Sequence, residues 1–371
     1  MAGAKQAIEK LLQRADIAID GGRPWDIRVN DDRFYGSVLR GGSLALGESY
    51  MAGWWDTGAL DVFIEHVLLA RLQGRVKVTA HDALLFLAAT LRNRAAPSRA
   101  FEVGEKHYDI GNDLFERMLD KRLVYTCGYW KDAKNLDEAQ EAKLDLVCRK
   151  LGLKAGDHVL DIGCGWGSFM KFAAEKYGVR ATGITVSKEQ VKLGETLCKG
   201  LPVEFILEDY RTITGSFDHI VSLGMFEHVG YKNYRKYFEV ARDHLKDDGL
   251  FLLHTIGNNV SDVHTEPWID KYIFPNGMLP SIAQIGKAIE PSFVMEDWHN
   301  FGTDYDRTLM AWYANFEHHW LEIAPQYSEM FHRMWRYYLL SCAGSFRARN
   351  IELWQIVLSK RGVPGGYRSV R

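Results

Sequence analysis

Asp161, Gly163, Gly165 and Gly167 stand at alternate positions in Val159-Leu160-Asp161-Ile162-Gly163-Cys164-Gly165-Trp166-Gly167-Ser168. This spacing is the part of the chain best suited to holding a ligand. An apolar run ends in an acid, three glycines follow, and Ser168 to Tyr177 has the pattern of a helix. A strand that turns sharply into a helix needs permissive dihedrals and an unobstructed backbone, and glycine supplies both. Nicotinamide, flavin and S-adenosylmethionine proteins all use such turns, and a tight turn without a ligand is the plain alternative. Three details choose among them. The spacing is Gly-x-Gly-x-Gly and not the Gly-x-Gly-x-x-Gly of a pyrophosphate grip. Asp161 precedes the first glycine, where a carboxylate can meet the cationic end of a ligand. The next strand, 179–184, ends without the acid that takes a ribose and is followed by Thr185, Ser187 and Gln190. The combination suits S-adenosylmethionine, which lacks phosphate and carries a sulfonium and an ammonium. Glu208-Asp209-Tyr210 follows the third strand, and Asp209 or Tyr210 is expected beside the adenine.

The elements that must position these residues begin near Ala155. Strand-like segments at 157–162, 179–184, 203–207, 217–222, 249–256, 292–299 and 353–360 alternate with helical patterns at 168–177, 187–200, 231–246, 281–289 and 306–340. Alternation of this kind predicts an α/β, doubly wound sheet, with the ligand at the carboxyl ends of the strands. Asp161, Thr185, Asp209, Glu227 and His254 all fall at or just past those ends.

The first hundred residues differ. Gly21-Gly22, Gly41-Gly42 and Gly47 punctuate short strand-like pieces, and a helical region runs from Asp61 to Arg94. Between His66 and Ala100 the basic residues 71, 75, 77, 92, 94 and 99 face one acid, Asp82. Basic charge beside Leu68, Leu69 and Leu84–Leu87 fits an anionic bilayer surface, and equally a solvated helix face packed on its own domain. Ala95-Ala96-Pro97-Ser98 reads as a linker, which gives an N-terminal domain over 1–97 and a catalytic domain over 98–371.

Composition sets limits. The 46 basic and 48 acidic residues nearly balance, so the molecule as a whole is not built for nucleic acid. No apolar run approaches the roughly 20 residues needed to span a bilayer, and residues 1–20 interleave Ile8, Leu11, Leu12 and Ile17 with charges. The five cysteines show no Cys-x-x-Cys pair and no zinc spacing, which predicts a cytoplasmic, reduced protein without a structural metal.

Three further clusters are unusual for a generic methyltransferase. They are Val124-Tyr125-Thr126-Cys127-Gly128-Tyr129-Trp130, Gly224-Met225-Phe226-Glu227-His228-Val229-Gly230, and Leu253-His254-Thr255-Ile256 with Gly302-Thr303-Asp304-Tyr305-Asp306-Arg307 further on. Together they resemble the bacterial cyclopropane-fatty-acid synthases and the related mycolic acid cyclopropane synthases, over almost the whole chain and in the family's order. Gly128 is a minor departure, since alanine is commoner there.

The resemblance implies a class I S-adenosylmethionine methyltransferase fold, Rossmann-like with a seven-stranded doubly wound sheet, beside a smaller N-terminal α+β domain. It implies methylene transfer to cis-unsaturated acyl chains of membrane phospholipids. The π electrons of the alkene take the methyl, a carbocation results, and a base must remove a proton for the ring to close. Such a site needs apolar and aromatic walls and a base near the transferred carbon. The resemblance further implies bicarbonate as that base, anchored by Cys127, Glu227, His254, Tyr305 and the backbone of Ile256. Tyr125 and Thr126 match positions that close over the cofactor. Cys342 is a further candidate, although the chemistry gives it no obligatory task and a free cysteine is often a small buried hydrophobe. His228 reads as structural. A homodimer associated peripherally with the inner face of the cell membrane is also implied. Two alternatives remain open at this point: an S-adenosylmethionine-dependent small-molecule N- or C-methyltransferase of the same fold, and a lipid-binding protein without turnover.

Overall fold

The computed structural model describes residues 2–72, 111–290 and 292–371. The Ala95–Ser98 linker and every basic residue of the expected membrane face except Arg71 lie outside them. The chain divides into two compact units. One comprises Met1–Arg92, His264–Pro275 and Tyr305–Ile351; the other comprises Asn93–Val263, Asn276–Asp304 and Glu352–Arg371.

In chain order the described strands are β1 (Ile27–Val29), β2 (Trp55–Thr57), β3 (His158–Ile162), β4 (Arg180–Thr185), β5 (Val203–Leu207), β6 (His219–Leu223), β7 (Leu250–Asn258), β8 (Val294–Asn300) and β9 (Ile351–Ser359). The helices are α1 (Ala2–Arg14), α2 (Arg33–Met51), α3 (Leu60–Leu69), α4 (Asn112–Met118), α5 (Leu136–Leu151), α6 (Ser168–Tyr177), α7 (Lys188–Leu197), α8 (Tyr234–His244), α9 (Pro267–Tyr272), α10 (Ile282–Ile289), α11 (Thr303–Ile323) and α12 (Glu329–Arg347).

The second unit is built on a seven-stranded sheet of order β5-β4-β3-β6-β7-β9-β8. Strands β3 to β7 pair in parallel, and β8 runs antiparallel to β9. Parallel neighbours need crossover connections that cover the sheet, and both faces must be apolar to be covered. Accordingly, one core gathers Leu160, Ile162, Ile220, Phe251 and Leu253 with Phe238 of α8, while another gathers Val159, Ala181, Val221 and Leu252 with Phe169 of α6 and Leu144 of α5. The strand order reverses between β3 and β6. That reversal opens a crevice at their carboxyl ends, where doubly wound sheets bind ligands.

The first unit carries the two-stranded antiparallel β1–β2 sheet and helices α1–α3, α9 and α12 with most of α11. Its core includes Trp55, Trp268, Trp312 and Trp335, all buried. Gly344 lets α12 approach α3 closely, since a Cβ there would overlap the Asp61 carbonyl. Arg347 clamps the same contact, donating to Asp61 at 2.8 Å and to both oxygens of Asp306 at 2.8 and 2.9 Å.

Two sequence expectations are corrected. Residues 33–51, read as glycine-punctuated strand pieces, form α2, which bends where Gly42 takes φ 55°. Its Gly47 is required by packing: a Cβ would strike the Trp268 indole. Tertiary contact here overrides glycine's poor helix propensity. The helix expected over 306–340 is two helices, interrupted at Ala324-Pro325-Gln326 and restarted by the Ser328 hydroxyl, which caps the Phe331 N–H at 3.1 Å. Among the described residues, no helix is long and apolar enough to cross a membrane.

Candidate active site

The Asp161–Gly167 turn follows β3 as the sequence predicts. Gly163 and Cys164 donate their N–H groups to the Ile184 carbonyl at 2.9 and 3.2 Å, tying the turn to β4. Gly163 has φ 85°, and a Cβ on it would lie 2.6 Å from Met225. Gly167, with φ 82°, begins α6 against the Phe205 ring.

Beside this turn lies a cavity of ≈ 200 Å³. It is lined by Tyr125, Thr126, Asp161, Gly163, Cys164, Gly165, Thr185, Ser187, Gln190, Asp209 and Tyr210, so the structure brings eleven of the twelve expected cofactor residues together. Gly167 is the exception and serves the packing just described. Thr185 donates to the Gln190 carboxamide at 2.7 Å, and Ser187 accepts from the Gln190 N–H to cap α7. The Asp209 carboxylate accepts from the Arg211 N–H at 2.9 Å, and the Tyr210 ring packs edge-on against Tyr237. Leu123, Leu144, Trp166, Phe169 and Met225 supply apolar wall. His228, read from sequence as structural, also lines the cavity; burial holds its pKa down to about 4.

Asp161 is the most informative residue of the cavity. It is 2% exposed, and its Oδ1 has no hydrogen-bond partner in the protein. Burial pushes its pKa up to about 7 against the attraction of Lys143. A buried acid with an orphaned oxygen is costly unless a ligand completes it, and the ammonium of an amino-acid moiety would.

The sequence reading missed Lys143 and Gln140. Both are fully buried on α5, and together they pin the segment before Cys127. Gln140 donates to the Val124 and Thr126 carbonyls at 3.3 and 2.7 Å, and Lys143 Nζ donates to Thr126 Oγ1 at 2.6 Å. Burial lowers the Lys143 pKa to about 8, opposed by the charges of Cys127, Asp120 and Asp161. A signal existed. Positions 140, 143, 144, 147 and 151 make one helical stripe, and two polar residues interrupt it where apolar ones are expected. Asp120 secures the other end of the segment, accepting from the Val124 and Arg122 N–H groups at 2.8 and 3.0 Å. Between them Leu123 is held at φ 56°, a strained value for a side chain of its size.

A second set of expected residues adjoins the carboxyl ends of β6 and β7. Gly224, following β6, donates its N–H to the His254 carbonyl on β7 at 2.9 Å. Glu227 Oε1 accepts from the Ile256 N–H at 2.7 Å, so the two motifs are joined directly. Glu227 and His254 are 8% and 1% exposed. Neither Glu227 Oε2 nor His254 Nε2 has a hydrogen-bond partner in the protein. Burial drives the Glu227 pKa up to about 7, countered in part by the Ile256 N–H. Burial, with the charges of Lys143 and Lys150, takes His254 well below its usual value, so its ring is neutral. The Ile256 N–H, expected to meet an oxyanion, is occupied by Glu227. Cys127 is fully buried, and its thiol donates to the Gly128 carbonyl at 3.1 Å. A methyl on Gly128 would come within 2.9 Å of the Ala139 methyl, a physical reason for glycine at this departure from the family pattern.

Tyr305 and Cys342 fall in the first unit. Tyr305 is buried near the start of α11 and stacks on Phe346 at 4.5 Å. Cys342 lies on α12, where burial and then the charge of Glu266 push its thiol up to about 12. A thiol so rarely ionised is a poor nucleophile.

Comparison with known proteins follows the same lines. The sequence pattern of the mycolic acid cyclopropane synthetase family matches residues 95–356. The cyclopropane-fatty-acyl-phospholipid synthase of Escherichia coli K12 is 55% identical over 362 residues, covering 98% of this chain and 94% of that protein. The mycolic acid cyclopropane synthase CmaA1, solved in complex with SAH (S-adenosylhomocysteine) and CTAB, is similar at TM-score 0.66 and 34% identity, over 70% of this chain and 98% of that one. Coclaurine N-methyltransferase, solved with N-methylheliamine and SAH, reaches TM-score 0.71 at 23% identity, over 85% of this chain and 99% of that one. This last likeness concerns the fold alone. The α/β fold with its mostly parallel seven-stranded sheet is that of class I S-adenosylmethionine methyltransferases.

Proposed function

The chain belongs to the mycolic acid cyclopropane synthetase family, and on that premise we propose that it transfers a methylene unit from S-adenosylmethionine to the cis double bond of unsaturated acyl chains in membrane phospholipids, forming a cyclopropane ring. It is an enzyme of the S-adenosylmethionine-dependent methyltransferase group. The cavity beside Asp161 fits that cofactor, because the orphaned Asp161 oxygen wants a cationic partner and the glycine turn leaves backbone open to approach. Tyr125, Thr126, Thr185, Ser187, Gln190, Asp209 and Tyr210 would complete its surround. S-adenosylmethionine supplies an electrophilic methyl group.

The observation that carries the reading is the pair Glu227 and His254. Each is buried, each offers one polar atom that no protein group satisfies, and Glu227 is tied to β7 two residues beyond His254. An acceptor and a neutral imidazole N–H donor fit a small oxyanion that carries one hydroxyl. Bicarbonate answers that description and supplies a base. Glu227 would hold its hydroxyl and His254 would donate to an oxygen. Ile256 acts through Glu227, whose carboxylate it orients. Cys127 and Tyr305 enter this proposal on family likeness alone, and Cys342 is given no role in the reaction. Methyl transfer to an amine needs no such base. The apolar cavity wall limits water, which protects a cationic reaction path.

Family membership also supports a homodimer acting from the cytoplasmic side on the surface of a bilayer, as a peripheral protein. The basic residues between Arg71 and Arg99 are its proposed contact with anionic lipid.

The test is to supply S-adenosylmethionine with vesicles of cis-monounsaturated phospholipid in bicarbonate buffer. Acyl chains should gain one CH₂ and lose the alkene signal, while saturated vesicles stay unchanged. Persistence of the alkene, or appearance of a methylated amine instead, would overturn the reading.

A further inference from the structure

His254 on β7 and Gln355 on β9 are 1% and 0% exposed, and their side chains meet inside the sheet. Gln355 Nε2 lies 3.3 Å from His254 Nδ1. We infer that Gln355 is a positioning residue that fixes the His254 imidazole in the tautomer with its single proton on Nε2.

A carboxamide nitrogen can only donate, so the ring atom it meets must carry the lone pair. His254 is neutral, and a neutral imidazole has one N–H. With Nδ1 accepting, that N–H is on Nε2, the atom left without a protein partner. The reversed amide would turn Gln355 Oε1 toward an Nδ1–H and leave a buried NH₂ with two donors unsatisfied, in place of one N–H and one carbonyl oxygen. Buried N–H groups are less often left unpaired than carbonyl oxygens, which have a second lone pair and are tolerated partly satisfied. The present arrangement leaves one amide N–H and the Gln355 Oε1 unpaired, a smaller deficit than two unpaired N–H donors.

The consequence concerns polarity at the base site. Glu227 presents an acceptor and His254 presents a donor only in this tautomer. In the other tautomer both would present lone pairs to an anion. Gln355 thus makes the pair complementary to an oxyanion with one hydroxyl, and this part rests on the base reading given above. It touches neither substrate nor cofactor and acts solely through the ring.

The tautomer is directly measurable. In protein labelled with [15N]histidine, two-bond nitrogen–proton correlations distinguish Nδ1–H from Nε2–H, and the His254 signals are those lost in His254→Gln. The expected result for the wild-type protein without ligands is Nε2–H. An Nδ1–H pattern would overturn the inference, whatever any variant does. Gln355→Met keeps volume and removes the donor. It should shift His254 to a mixture of tautomers, lower kcat by about 10- to 100-fold, as loss of a group orienting a functional histidine does elsewhere, and leave S-adenosylhomocysteine affinity unchanged. An unaltered tautomer and kcat in Gln355→Met would equally refute the role. Wild-type turnover that is indifferent to bicarbonate would sink the base reading, while an Nε2–H result would leave the tautomer assignment standing.

Discussion

Replacing Glu227 by glutamine should abolish turnover and, above neutral pH, make the protein more stable. The second effect follows from burial. The Glu227 carboxyl titrates near 7 in the folded chain against a reference value of 4.5. The folded state therefore binds this proton more tightly than the unfolded state does. Between pH 4.5 and about 7 the native protein holds more protons, so stability falls as pH rises across that window. At 1.36 kcal/mol for each pKa unit, the wild-type protein at pH 8 carries a penalty of about 3 kcal/mol from this group alone. Glutamine resembles the protonated acid, keeps an oxygen for the Ile256 N–H and cannot ionise. The variant should accordingly gain about 3 kcal/mol at pH 8, with the gain falling well below that at pH 4.5. Urea unfolding of both proteins at several pH values measures this difference directly. Asp161 and His228 titrate in both proteins and cancel. Parallel stability curves for the two proteins would show that Glu227 is not a desolvated acid, and the argument for its part in holding a base would lose its physical footing. Loss of S-adenosylhomocysteine binding along with turnover would mean that Glu227 shapes the cofactor cavity.

Three further outcomes are expected. Lys143→Met removes a charged donor from Thr126 and a buried counter-charge from Asp161, so S-adenosylhomocysteine affinity by calorimetry should weaken about tenfold or more; unchanged affinity would remove Lys143 from the cofactor site. Gly163→Val places a side chain at φ 85° against Met225 and should cost about 1–3 kcal/mol in backbone strain as well as cofactor binding; a wild-type unfolding midpoint would contradict the cradle geometry. Cys342→Ala should leave turnover intact, and the native Cys342 thiol should resist alkylation at pH 8, because it ionises only near pH 12; a large loss of kcat would restore Cys342 as a catalytic candidate.

The sheet was legible because its strands are apolar runs that end in punctuation. Observed bounds such as 203–207 and 294–300 lie within two residues of those read from the sequence. The cofactor turn was legible for a related reason, since glycine spacing encodes backbone shape locally. What stayed hidden was of two kinds. Helix α2 contains four glycines, and only Trp268, more than two hundred residues later, explains why one of them sits in a helix. The polar partners Lys143, Gln140 and Gln355 act across the fold: Gln355 meets a histidine 101 residues away, and no spacing rule links the two. Tyr305 and Cys342 stand out through family likeness alone, because nothing in their local sequence marks either as reactive.

The interrupted make-up of the first unit bears on how the protein is born. Asp61 and Arg347, which close α3 against α12, are separated by 286 positions. At roughly 5–20 residues per second of synthesis, the early helices wait about 15–60 s for their partners to leave the ribosome. Throughout that interval Trp55, Phe63 and Ile64 have no finished core to enter, so the nascent N-terminal segment exposes apolar side chains before it is a domain. A fragment ending before α12 should stay in that condition, which makes solubility of C-terminal truncations a readout of the second half's duty toward the first.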